Sequence, residues 1–286
     1  MKASIENLSS SLLKSFLVRS FEEKSFTAPY HFHPEFELTL ILSGSGKRYV
    51  GSKMHDFYPG DFILLGSNLP HCWKTENTET SEISSSIVVQ FKKEFLGEDF
   101  FEKPEMATVL QLLKRCDSGI RFTGNTILYK NKMQELLQEQ NSFKRMILLL
   151  DLLNLLSLSK KRELLEKQKS TSIISTGEQQ RLHVVMAYIV EHFKEQISLS
   201  KAAALANMTS PAFCKYFKRI TRKTFIEAVT EYRIDYAAQQ LINTAHSISQ
   251  ISFDSGFNDL SHFHKTFKAT MKLSPLCYRN EFIEKL

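Results

Sequence analysis

Residues 197–221 and residues 248–279 carry one pattern twice, and an internal repeat narrows the choice of folds more than any other feature of this chain. Leu199 and Ile248 each open an apolar segment, Ala203 and Ser252 hold its small position, and Met208 and Phe257 close a short turn. Matching positions are 49 apart up to that point. Beyond it Phe213, Lys215, Phe217 and Lys218 match Phe263, Lys265, Phe267 and Lys268 at a spacing of 50. Each copy therefore predicts a helix, a tight turn that is one residue longer in the second copy, and a second helix.

At about 100° per residue, Phe213 and Phe217 fall on one stripe of the first of these second helices, and Phe263 and Phe267 on one stripe of the other. Opposite them lie Pro211, Cys214, Lys215 and Lys218 in one copy, and Ser261, His264, Lys265 and Lys268 in the other. A lysine-bearing face opposite a phenylalanine stripe is usually a solvated surface. Two such faces in register, each behind its own helix and turn, point instead to entry into a DNA major groove. Lys215 and Lys265, central on each face, are expected to meet a base or a phosphate. Pro211, Cys214, Ser261, His262 and His264 are expected to tune sequence, and Lys218 and Lys268 to meet phosphate.

The Phe-Lys pair in both copies (Phe217-Lys218, Phe267-Lys268), the turn Gly256-Phe257, and the closing Ser274-Pro275 with Tyr278-Arg279 resemble the DNA-binding domain of the AraC/XylS transcription regulators. The resemblance covers about the last hundred residues. It implies an all-α double helix-turn-helix, with a long helix over residues 225–243 joining two units that enter neighbouring major-groove segments of double-stranded DNA. It also implies RNA polymerase as a partner and a homodimer as the assembly. Two departures stand out. Where the family usually turns through a left-handed glycine after each recognition helix, this chain has Arg222 and Lys272. Ser252 stands where alanine is usual, and its hydroxyl is expected to bond back to the helix carbonyl four residues earlier.

Charge supports the placement. Of 286 residues, 161–286 hold 18 Lys and Arg against 12 Asp and Glu, whereas 1–160 hold 19 of each, so the net +6 belongs with the repeat. Cys72, Cys116, Cys214 and Cys277 form no CxxC pair, which argues against a zinc finger or a disulfide framework and for a reducing cytoplasm. The first residues are too broken by Ser and Glu for a signal peptide. The apolar run 146–158 is interrupted by Asp151 and Asn154 and is too short to span a bilayer, so no membrane association is expected.

Residues 36–91 alternate as strands. Phe36, Leu38, Leu40 and Leu42 point one way, Glu37, Thr39 and Ile41 the other, and Gly44-Ser45-Gly46 turns the chain. Further strands are expected at 48–51, 61–65 and 86–91, together a sandwich or small barrel. Within them, His31-Phe-His33, Glu37, Gly44, Pro59-Gly60-Asp61 and Leu69-Pro70-His71 resemble the cupin double motif over roughly residues 20–95. AraC-type regulators commonly carry such a barrel as their ligand-sensing half.

The cupin resemblance makes His31, His33, Glu37 and His71 candidate ligands for a divalent metal such as Fe, Mn, Ni or Zn. They are equally candidate polar groups of an effector pocket that needs no cofactor. Trp73 and Tyr49, with Tyr58, are expected as aromatic walls for a sugar or a small organic acid, Phe62 as core, and His55 as an exposed turn residue.

From residue 105 the period becomes helical. Met106, Val109, Leu110 and Leu113 form one stripe, Ile127, Leu128, Leu136 and Leu137 belong to a second helix or pair, and Met146, Leu149, Leu150, Leu153 and Leu156 form a third. The last normally packs on its own domain, and the family suggests that it could also pair with a second copy. Composition then shifts to charged and Ser/Thr-rich. The expected domains are 1–160, a cupin-like β-barrel with trailing helices for effector sensing and dimerisation; 161–177, a linker; and 178–286, the DNA-binding domain. The expected function is a DNA-binding regulator controlled by a small molecule in the barrel. The alternative is a metal-dependent cupin enzyme fused to a DNA-binding domain.

Overall fold

The computed structural model describes residues 15–51, 53–75, 83–165 and 176–283. The signal-peptide reading of the first fourteen residues and most of the expected linker lie outside them. Contacts divide the chain into two compact units, with the boundary between residues 169 and 170.

The first unit is built on two sheets. β1 (Phe16–Glu23), β2 (Phe36–Ser43), β5 (Phe62–Leu65), β7 (Ser84–Phe91), β8 (Ile120–Phe122) and β9 (Arg162–Leu164) form an antiparallel sheet in the order β1-β7-β2-β5-β8-β9. β3 (Gly46–Val50), β4 (Lys53–Phe57) and β6 (His71–Thr75) form a second, in the order β4-β3-β6. The alternation read in β2 holds. Phe36, Leu38 and Leu40 pack with Val109, Leu112, Leu113, Met133, Leu149, Leu153 and Leu156 from α1 (Ala107–Arg115), α2 (Thr126–Gln138) and α3 (Ser142–Leu158). Ile41 faces the other way, into an apolar layer shared with Val50, Phe57, Ile63, Leu65 and Trp73 between the two sheets. Both faces of the larger sheet are thus covered, which is what continuous burial from Phe36 to Ile41 requires.

Asp61, of the Pro-Gly-Asp turn, is buried and takes two guanidinium partners. These are Arg48 of β3, itself 1% exposed, and Arg121 of β8 at 2.8 Å. The pairing links strands of both sheets and leaves neither buried charge uncompensated.

Several expectations need correction. Arg162–Leu164 are a strand and Leu165 is buried in the inter-sheet layer, so the first residues assigned to the linker belong to the sheet unit. At its other end the DNA-binding half begins with α4 (Thr176–His192), inside the expected linker. His55 lies in β4 opposite Arg48, and burial, then the Arg48 charge, pushes it down to about 4. Tyr58 is 52% exposed and is not among the residues that line the barrel cavity. Ile127, Leu128, Leu136 and Leu137 all fall in α2 as expected, although its buried face is Tyr129, Met133 and Leu136 while Ile127 and Leu128 are exposed. The Leu149/Leu153/Leu156 stripe of α3 is consumed within its own unit, leaving Phe143, Ile147 and Leu158 as that helix's exposed apolar residues.

The second unit is helical: α4, α5 (Leu199–Leu205), α6 (Ser210–Thr221), α7 (Phe225–Asn243), α8 (Ile248–Asp254), α9 (Leu260–Met271) and α10 (Pro275–Ile283). The joining helix α7 has the expected bounds, and the reason is local. Thr224 accepts from Glu227 N while the Glu227 carboxylate accepts from Thr224 N, a complete capping box. Arg222 and Lys272 sit in the left-handed region at φ 61° and 66°, as the departure from glycine implied. Replacing either by glycine is expected to hold or raise stability, by about 1 kcal/mol, since the side chain is disfavoured there. Thermal melting checks this, and a clear drop for both variants would contradict it.

Candidate nucleic-acid interface and effector cavity

The two repeats fold by the same local rules. Ser198 and Ser247 cap α5 and α8, accepting from Lys201 N and Gln250 N. Both helices end on a left-handed residue, Asn207 at φ 54° and Gly256 at φ 86°. Met208 N then donates to Ala203 O, and Phe257 N donates to Ser252 O. The extra residue of the second copy, Asn258, precedes the Asp259 cap, whose carboxylate accepts from His262 N at 2.5 Å. Ser252 does not bond back to its helix: its hydroxyl is buried with no hydrogen-bond partner.

Burial divides α6 and α9 as the periodicity indicates. Phe213, Phe217, Phe263 and Phe267 are fully buried, the first pair against Phe225 and the second against one another, with Phe257 on Phe263 and Tyr278 on Phe267. Pro211, Cys214, Lys215 and Lys218 are exposed, as are Ser261, His262, Lys265 and Lys268. His264 departs from the expectation in being half-buried beside the Phe263 ring.

Arg233 escaped the sequence reading, and Arg279 entered it only as part of the closing motif. Arg233 of α7 donates to Phe193 O and Glu195 O just past the end of α4, and Arg279 of α10 donates to Leu241 O and His246 O at the end of α7. Each caps carbonyls that the helix leaves without partners.

In the barrel, backbone bonds between His31 and His71 (N to O, 3.1 and 2.9 Å) bring the two halves of the cupin-like motif together. The ring nitrogens of His31, His33 and His71 lie within 4.8 Å of one another, a spacing that fits one first-row divalent cation. Nδ1–H of His31 donates to Pro29 O and that of His71 to Leu69 O, which fixes both tautomers. Burial, then the neighbouring His71, pushes His31 down to about 4.

Glu37 stands outside that trio but touches it. It faces Gln90 because β2 and β7 pair in that register. Its carboxylate accepts from His33 Nε2 at 2.9 Å, Gln90 Nε2 at 2.8 Å and Thr39 Oγ1 at 2.6 Å. Burial alone would push this carboxyl up; the nearby His71 ring and the bond from His33 outweigh it and hold Glu37 well below the ordinary carboxylate range.

A cavity of about 260 Å³ opens above this floor. His31, Glu37 and Trp73 line it, as expected for a pocket, together with Phe21, Phe26, Ile41 and Val88 and the unforeseen polar groups Thr39, Ser86 and Gln90. His33 and His71 are buried and, contrary to expectation, do not line it. Tyr49 does not line the cavity: it is buried within β3, paired with Met54 and Cys72.

Comparison with known proteins agrees with both halves. Residues 202–281 match the family described as "Helix-turn-helix domain", and residues 18–89 the family described as "Cupin domain". The helix-turn-helix-type transcriptional regulator YdeC of Bacillus subtilis is 24% identical over 258 residues, 88% of this chain and 86% of its own. The transcriptional activator RhaS of Mannheimia succiniciproducens is 24% identical over 254 residues, 86% of this chain and 87% of its own. Among solved structures, ToxT from Vibrio cholerae aligns over 94% of this chain and 100% of its own, at 15% identity and a TM-score of 0.36. A cupin domain followed by a doubled helix-turn-helix makes this chain a DNA-binding transcription regulator similar to those of the AraC/XylS family.

Proposed function

We propose that a small molecule in the barrel cavity sets how firmly α6 and α9 hold DNA. One observation carries the DNA half of this reading: Lys215, Lys218, Lys265 and Lys268 are all exposed on helices whose opposite faces bury four phenylalanines. Lys215 and Lys265 are assigned to base edges or central phosphates, and Lys218 and Lys268 to phosphates. Pro211, Cys214, Ser261, His262 and the half-buried edge of His264 tune the sequence preference.

Coupling requires the effector to bind one arrangement of the protein better than another. Phe26, Ile41 and Trp73, which line the cavity, share one apolar layer with Leu165, the last described residue before the connection to the helical unit. Occupancy that moves Trp73 is therefore felt where the connection begins.

The role is recognition rather than catalysis and requires no cofactor. A divalent cation, where bound, would be held by His31, His33 and His71 and would supply Lewis acidity. Glu37 would join them only by releasing one of its three donors. The active form is proposed to be a homodimer in the cytoplasm, using the exposed apolar residues Phe143, Ile147 and Leu158 of α3. Activation through RNA polymerase is the proposed mode, in keeping with the named activator RhaS. Among the described residues no helix is long and apolar enough to cross a membrane.

Lys265→Ala tests the assignment on a DNA site recovered by in vitro selection. Binding to that site is expected to weaken by about 1–3 kcal/mol, with little change on random DNA. Equal losses on both would make Lys265 a phosphate contact.

A further inference from the structure

We infer that Arg219 is a further phosphate contact of the first recognition helix, and that Glu178, in the first turn of α4, holds it off DNA. The inference rests on the reading of α6 as a DNA-entering helix and adds to it one contact and a brake on that contact.

Arg219 follows Lys215 by four residues, so the two stand one turn apart on the same side of α6. Its side chain is 57% exposed, yet its charge is already met. It pairs with the carboxylate of Glu178, whose side chain is 23% exposed. A cation on the recognition side is thereby cancelled before DNA arrives.

Packing, and not the ion pair, delivers Glu178 to this place. Tyr216 of α6 is buried, and its hydroxyl donates to the backbone carbonyl of Glu178, which holds the first turn of α4 beside α6. The ion pair itself, exposed to this degree, contributes little. Each charge also has a favourable setting of its own. Glu178 lies in the first turn of α4 and Arg219 in the last turn of α6, where the helix dipoles favour an anion and a cation respectively. Parting them therefore costs little, and a phosphate offers the guanidinium a stronger, bidentate contact.

The second copy lacks both parts of this arrangement. At the spacing of 50, Tyr216 and Arg219 become Thr266 and Ala269, so the brake acts on one recognition helix of the two. It also stands where the chain enters the helical unit, since α4 is the first described element after residue 165. A change in how that connection is held meets Glu178 within the first turn of α4.

The test uses the full chain and the DNA site recovered by selection. Glu178→Gln removes the charge and leaves the carbonyl that Tyr216 holds. This variant is expected to bind the site about threefold to tenfold more tightly, with a salt dependence steeper by about one. In an Arg219→Ala background the same substitution is expected to change neither quantity. An equal gain in both backgrounds would reduce Glu178 to a general charge effect and overturn the inference. Weaker or unchanged binding by a Glu178→Gln that melts normally would overturn it too. Glu178→Ala serves as a second variant with the same expectations, and failure of both to fold would make Glu178 a structural anchor instead. The underlying reading fails separately: a Lys215→Ala without effect on the site removes α6 from the groove, whereas a missing Glu178→Gln gain leaves that reading intact.

Discussion

Gly256→Ala is expected to destabilise the second helix-turn-helix by about 3 kcal/mol or more. Two effects add. The residue sits at φ 86°, where a side chain costs roughly 1–2 kcal/mol. Its new Cβ would also lie 2.7 Å from Phe193 O and 2.8 Å from Lys194 O, both backbone atoms just beyond α4 that cannot swing aside as a side chain would. Overpacking of that kind costs about 1–3 kcal/mol. The first copy provides the control, because Asn207 holds the matching turn at φ 54° with a side chain already in place. Asn207→Ala should cost only about 1 kcal/mol. Chemical denaturation followed by circular dichroism compares the two, and a Gly256→Ala as mild as Asn207→Ala would contradict the packing described.

The second large effect falls on DNA. Lys215→Ala combined with Lys265→Ala removes the central cation from both recognition helices while leaving Phe213, Phe217, Phe263 and Phe267 in place. Each substitution alone is expected to weaken binding to the selected site by about 1–3 kcal/mol, and the pair by about 2–6 kcal/mol, since the two lie on separate helices and should add. Where either lysine meets phosphate instead, the salt dependence of binding falls by about one for that residue. Unchanged melting of the double variant confirms that the loss is one of contact and not of folding.

The strongly periodic parts of both units were legible in the sequence. β2 alternates because one face meets the helices and the other faces the barrel interior, and α7 begins where a capping box tells it to. The doubled helix-turn-helix was legible because two copies constrain each other, even with Arg222 and Lys272 standing in for glycine. The misses have local causes. β9 is three residues of mixed polarity that form a strand only because β8 offers an edge, and nothing in Arg-Glu-Leu encodes that partner. Tyr49 looks like any other pocket aromatic until the strand register assigns it to another face. Ser252 was expected to bond to its own helix, yet tight packing leaves the hydroxyl buried without a partner. The motif brings His31, His33 and His71 together with Glu37 outside that trio, and only His31 and Glu37 of the four line the cavity; Gln90 and Thr39, which bond to Glu37, come from register and carry no motif.

The central claim is that α6 and α9 each enter their own segment of the major groove. Methylation interference on the selected site measures this directly, because guanine N7 lies in that groove. Two clusters about one helical turn apart are expected, one lost in Lys215→Ala and the other in Lys265→Ala. A single cluster, or two that respond identically to either substitution, would contradict it.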